Sequence, residues 1–132
     1  MSEDGRRQSA PSGGLRVISE PLAAVRSVAL GVWIGVGSRF EREDQSGVSH
    51  FIEHLLFKGT PSYSAERIAQ VFDGLGGEVN AATGRDYTVV YMRVLDELVE
   101  RGMSVISGMV ERPTFADLDQ ERGVVLEEIA MY

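Results

Sequence analysis

Both histidines of this 132-residue chain fall in one pentapeptide, HFIEH at residues 50–54, with a glutamate, Glu53, beside the second. On an α-helix each residue turns by about 100°, so with His50 at zero Glu53 lies near about −60° and His54 near about +40°. The three side chains then share one face, and Phe51, Ile52, Leu55 and Leu56 are left for the other. The fold must therefore contain a helix here with one side toward a core and one side presenting two imidazoles and a carboxylate.

The rest of the chain is punctuated clearly enough to surround that helix. Residues 15–21 (LRVISEP) read as a short strand ended by proline, and 24–40 as a long central strand carrying Val, Ile and Trp33. Gly31, Gly35 and Gly37 mark that strand for bulges or close backbone approach. The HFIEH helix runs over 48–59, with Ser46 or Ser49 as its cap and Gly59 as its end. A second helix over 64–77 starts at Ser64, and two strands, 78–84 and 86–95, are joined by Gly84-Arg85 as a hairpin or a near neighbour of one. A third helix covers 96–110 and a fourth 116–132, with Pro113 breaking the chain between them. This order predicts an α+β fold, helices packed on a largely antiparallel sheet. Trp33 is expected in the core, Tyr87 and Tyr91 in strand packing, and Phe57 in the core although it shares the histidine face.

Composition narrows the function. A net charge of −7 with no Lys/Arg cluster argues against nucleic acid as a partner. The longest apolar run, 28–37, is too short for a membrane span. Residues 1–14 are polar and of mixed charge, are expected to be a disordered tail, and lack the apolar centre of a signal peptide, so a cytoplasmic location is expected. The last helix has no stop signal before Tyr132, and the expectation is a chain truncated within its domain.

With no cysteine, a metal must be held by His, Asp or Glu. Two His at i and i+4 suit zinc, and a carboxylate beside the site can take a proton from water. H-x-x-E-H is the reverse of the commoner H-E-x-x-H zinc pattern. A catalytic zinc wants three protein ligands, so the third must be acidic. The last helix offers Glu121, Glu127 and Glu128. Leu118, Val125, Leu126 and Ile129 define its apolar face. Glu121 and Glu128, seven residues apart, lie nearly one above the other at the border of that face, and Glu127 points away. Glu128 is therefore the inward ligand before Glu127, with Glu121 placed to orient a histidine or water.

HFIEHLLFKGT (50–60), GGEVNAATGRDYTVVYMRV (76–94) and ERGVVLEEIAMY (121–132) together resemble the pitrilysin/insulinase family of zinc metallopeptidases, in the style of the mitochondrial processing peptidase β-subunit and its bacterial relatives. The resemblance runs from Leu15 to Tyr132, and implies that 15–132 is the N-terminal part of a zinc-binding peptidase domain. It implies one Zn2+ per chain on His50, His54 and Glu128, Glu53 as general base, and Glu121 supporting catalysis without binding metal. It implies that Asn80, Ala81 and Ala82 lie on an exposed edge strand beside the zinc, to which an extended peptide substrate adds. It also implies a second homologous half or subunit, as a homo- or heterodimer, to complete the substrate chamber. The activity so implied is a zinc endopeptidase acting on peptides or unfolded segments. The rival classes are a non-catalytic partner subunit of the same family and a structural zinc site, which would want four closed ligands.

Overall fold

A computed structural model describes residues 5–131. Residues 1–4 of the expected tail, and the Tyr132 end of the helix expected over 116–132, lie outside the described residues. The elements run β1 (Arg7–Ser9), β2 (Val17–Ser19), β3 (Ser27–Ile34), α1 (Val48–Leu56), α2 (Ala65–Gly74), β4 (Glu78–Thr83), β5 (Thr88–Leu95), α3 (Val99–Glu111) and α4 (Leu118–Ala130), with short 3-10 turns at Ser38–Phe40, Glu43–Gln45 and Asp96–Leu98. The fold is α+β. All strand pairing among the described residues is antiparallel.

β3, β5 and β4 form one sheet in that order. Inward-facing Leu30, Val32, Val79, Ala81, Val90, Met92 and Val94 alternate with outward residues, as period-2 strands dictate. The core lies between this face and the helices. Ile68 and Phe72 of α2 and Val105, Ile106 and Met109 of α3 are almost completely buried against it. Burial of each such side chain stabilises the fold by about 1.5–3 kcal/mol. Ser64 caps α2 by accepting from Arg67 N–H at 3.2 Å. The β4–β5 hairpin turns at 84–87, closed by Gly84 N–H to Tyr87 O at 2.8 Å.

Several expectations give way here. Residues 7–9 are not a disordered tail: they pair with 17–19 as a small exposed ribbon. The strand at 27–34 is an edge, not the centre, because β5 lies between it and β4. Trp33 is 66% exposed. It falls on the outward phase of β3, where it packs on Tyr87 with ring centroids 4.8 Å apart. Ile52 on α1 is also exposed, since Leu55 and Leu56 alone reach the core from that helix. On α4 the expected apolar face does not become a buried one. Val125 is buried, but Leu118, Leu126 and Ile129 remain exposed.

Gly37 illustrates how tightly the loop after β3 is tied to the hairpin. Ser38 N–H donates to Gly84 O at 3.1 Å and Arg39 N–H to Arg85 O at 2.9 Å. A Cβ at Gly37 would collide with Gly84 O and sit 2.8 Å from both Arg85 O and Tyr87 N. Those atoms are backbone and cannot rotate aside. Gly37→Ala is expected to destabilise the chain by about 1–3 kcal/mol, the usual range for overpacking, seen as a lower urea midpoint at unchanged m-value. A wild-type midpoint would mean the hairpin turn moves freely.

Candidate metal centre

Helix α1 has only nine residues, too few to be stable on its own. Its N-terminus is held by a residue outside it. The Glu41 carboxylate accepts from Gly47 N–H at 2.7 Å and from Ser49 N–H at 2.8 Å. Neither Ser46 nor Ser49 is the cap: the N-cap position is Gly47, at φ 89, and no side chain there caps the helix. The two amide donors stabilise the charged carboxylate and hold Glu41 below the ordinary glutamate pKa. Leu55 and Leu56 bury the far end, and the helix lies between β4 and α4.

The exposed side of α1 turns both imidazoles toward α4. His50 Nε2 and His54 Nε2 are 3.1 Å apart, and each is 3.6 Å from Glu128 Oε2. These three residues each offer one ligand atom within 4.8 Å of the others. Zinc bonds of about 2.0–2.2 Å in a tetrahedron put ligand atoms roughly 3.3–3.6 Å apart, so the donor triangle fits such an ion. The donor set fits as well. Two ring nitrogens converging on a carboxylate oxygen leave lone pairs that a cation satisfies together. Glu127 points to solvent, as its helix phase requires.

Glu121 lies two turns before Glu128 and is buried, its side chain only 5% exposed. Its Oε2 is 3.4 Å from His54 Nδ1, and its Oε1 is 2.6 Å from Lys58 Nζ. Helix phase alone sets Glu121 at the border of an apolar face. Tertiary packing puts it inside, because Lys58 reaches it from the end of α1. Lys58 was not among the expected site residues, and neither was Thr83, whose Oγ1 donates to Glu53 Oε2. Both stand in the stretches that carried the family resemblance, but their partners are remote in sequence.

β4 is an edge strand beside α1. Asn80 and Ala82 are exposed on it, whereas Ala81 turns into the core and offers only its backbone. Asn80 Oδ1 accepts from Ala81 N–H at 2.8 Å. A cleft of about 260 Å³ is lined by Glu53, His54, Phe57, Lys58, Asn80 and Glu121. Phe57 thus does two things: it packs against the core cluster and walls this cleft.

The model of the insulinase family (peptidase family M16) matches residues 16–132. The chain is 49% identical over 121 residues to the uncharacterized zinc protease YmxG of Bacillus subtilis, covering 90% of this chain and 30% of that protein. It is 50% identical over 121 residues to an uncharacterized zinc protease of Mycobacterium leprae, covering 90% and 27%. Among solved structures, a protease from Helicobacter pylori superposes with a TM-score of 0.87 at 28% identity over 93% of this chain and 30% of that one. The periplasmic protease PqqL of Escherichia coli gives 0.87 at 30% identity, over 97% and 15%. The chain therefore spans under a third of the length of these relatives. No helix of the described residues is long and apolar enough to cross a membrane.

The Glu41 cap gives a pH-dependent expectation. Because its folded pKa is lowered, its contribution is fully present above the ordinary glutamate pKa and is lost as pH falls through the folded value. At neutral pH, Glu41→Ala is expected to cost about 0.5–2 kcal/mol, the range for losing a helix cap. The stability gap to wild type should close in acid, followed by urea titration across pH. A gap that persists unchanged in acid would show that the carboxylate charge is not what holds the helix end.

Proposed function

The chain belongs to the insulinase family, peptidase family M16, and we propose that it carries the zinc-binding catalytic half-site of an endopeptidase that hydrolyses peptides or unfolded segments. The observation that carries this reading is the convergence of His50, His54 and Glu128 donor atoms, with Glu53 on the same helix face. In this reading those three residues hold one zinc ion per chain. When bound, zinc supplies a Lewis acid for the scissile carbonyl and favours ionisation of water at neutral pH.

The remaining chemistry falls to protein side chains. Glu53 accepts a proton from the attacking water and delivers it to the leaving amine. Thr83 occupies Glu53 Oε2 and fixes its rotamer, which leaves Oε1 for the proton. Glu121, facing His54 Nδ1, keeps the Nε2 edge of that ring turned to the metal position. An extended substrate adds to the free edge of β4 through main-chain hydrogen bonds, beside Asn80, Ala82 and the backbone of Ala81. A second homologous half or subunit grips the rest of the peptide.

Glu53→Gln separates base from ligand. Zinc content should stay at wild-type level, while peptide hydrolysis by the protein with its second half present falls by about 10²–10⁴-fold. Unchanged hydrolysis would remove Glu53 from the role. Elemental analysis of the folded chain should find zinc in wild type and a loss in Glu128→Gln. Zinc binding without any hydrolysis in the complete assembly would instead favour a non-catalytic subunit, and a folded wild type that takes up no zinc would overturn both.

A further inference from the structure

We infer that Lys58 is a positioning residue for the metal centre, acting through Glu121 on His54 and on the rotation of α4. The inference rests on the zinc reading above. Glu121 divides its two oxygens: Oε1 meets Lys58 Nζ at 2.6 Å, and Oε2 faces His54 Nδ1 at 3.4 Å. A carboxylate so deeply buried is costly unless it is paired, and Lys58, itself 28% exposed, supplies the pairing charge. Lys58 is not a loose partner. Its backbone N–H bonds Leu55 O at 3.1 Å, which fixes it to the last turn of the helix that carries both histidines.

The pair has geometric consequences at both ends. At His54, a carboxylate held against Nδ1 favours the tautomer with its proton there and leaves Nε2, the atom facing His50 and Glu128, as the ligand edge. At α4, Glu121 and Glu128 are seven residues apart, nearly two full turns, so they lie on one face of the helix. Any rotation of α4 that seats Glu121 on Lys58 also turns Glu128 toward the imidazoles. Lys58 thus sets two of the three ligands without touching the ion.

The test uses the 132-residue chain in four forms: wild type, Lys58→Met, Glu121→Gln and the double variant. Zinc affinity is read by chelator competition, ligand geometry by the visible spectrum of the cobalt-loaded chain, and folding by circular dichroism and thermal midpoint. Lys58→Met should weaken zinc binding by about 10–100-fold, the usual effect of losing a group that orients a ligand, and change the cobalt spectrum. The double variant removes the charge imbalance, so it should recover stability and, because Lys58 acts only through Glu121, bind zinc as weakly as Glu121→Gln and no more weakly; if Lys58→Met alone fails to fold, a further loss in the double variant beyond Glu121→Gln overturns the inference. Wild-type affinity and spectrum in a folded Lys58→Met, or full recovery of both in the double variant, would reduce the pair to ordinary fold stabilisation and overturn the inference. Absence of zinc from the folded wild type overturns the zinc reading itself and is thereby distinguished from failure at Lys58 alone.

Discussion

The contact between Lys58 and the buried carboxylate of Glu121 joins the two helices on which the candidate metal centre is built. Helix α1 carries His50, Glu53 and His54 but is too short to stand alone. Helix α4 carries Glu128 and buries little apolar surface, with Leu118, Leu126 and Ile129 exposed. Its polar groups meet the first helix: Glu121 faces Lys58 and His54, and Glu128 faces the two imidazoles. Polar contacts are directional where apolar ones are not, which suits a site whose donor atoms must meet within a few tenths of an ångström.

The sheet supplies the other half of the constraint. Its buried face packs α2 and α3 into a rigid layer, and its edge strand β4 runs beside α1. Thr83 at the end of β4 donates to Glu53, so the carboxylate is fixed from the strand as well as from its own helix. The strand proposed to receive substrate and the proposed base are then parts of one hydrogen-bonded unit. Gly37 and the Gly84–Tyr87 turn brace that unit at the Thr83 end of the strand.

How much of this was legible in the residues depends on the range of the interaction. The helix over HFIEH, the Ser64 cap, a turn at Gly84-Arg85 and the placement of Glu128 rather than Glu127 toward the histidines all follow from spacings within one element. Periodicity reports which residues share a face; it does not report what covers that face. Trp33 was expected inside because it is large and apolar, yet its strand phase puts it on the open side of the sheet. Ser46 and Ser49 are the nearest capping residues to the start of α1, yet Glu41 reaches forward to it from the preceding loop. The tail was expected to be without structure because it is polar, but Arg7–Ser9 finds a partner in Val17–Ser19.

The sequence alone determined the α+β class, the helix that presents two imidazoles and a carboxylate on one side, and the face of the last helix that could answer it. These are local properties, set by backbone period and side-chain type. Only the tertiary structure decided that Glu121 is buried rather than bordering an apolar face, that Lys58 closes on it, and that Thr83 holds Glu53. Each of those joins residues far apart in the chain, and their burial is a property of the packed neighbours, which no spacing within one helix or strand can encode.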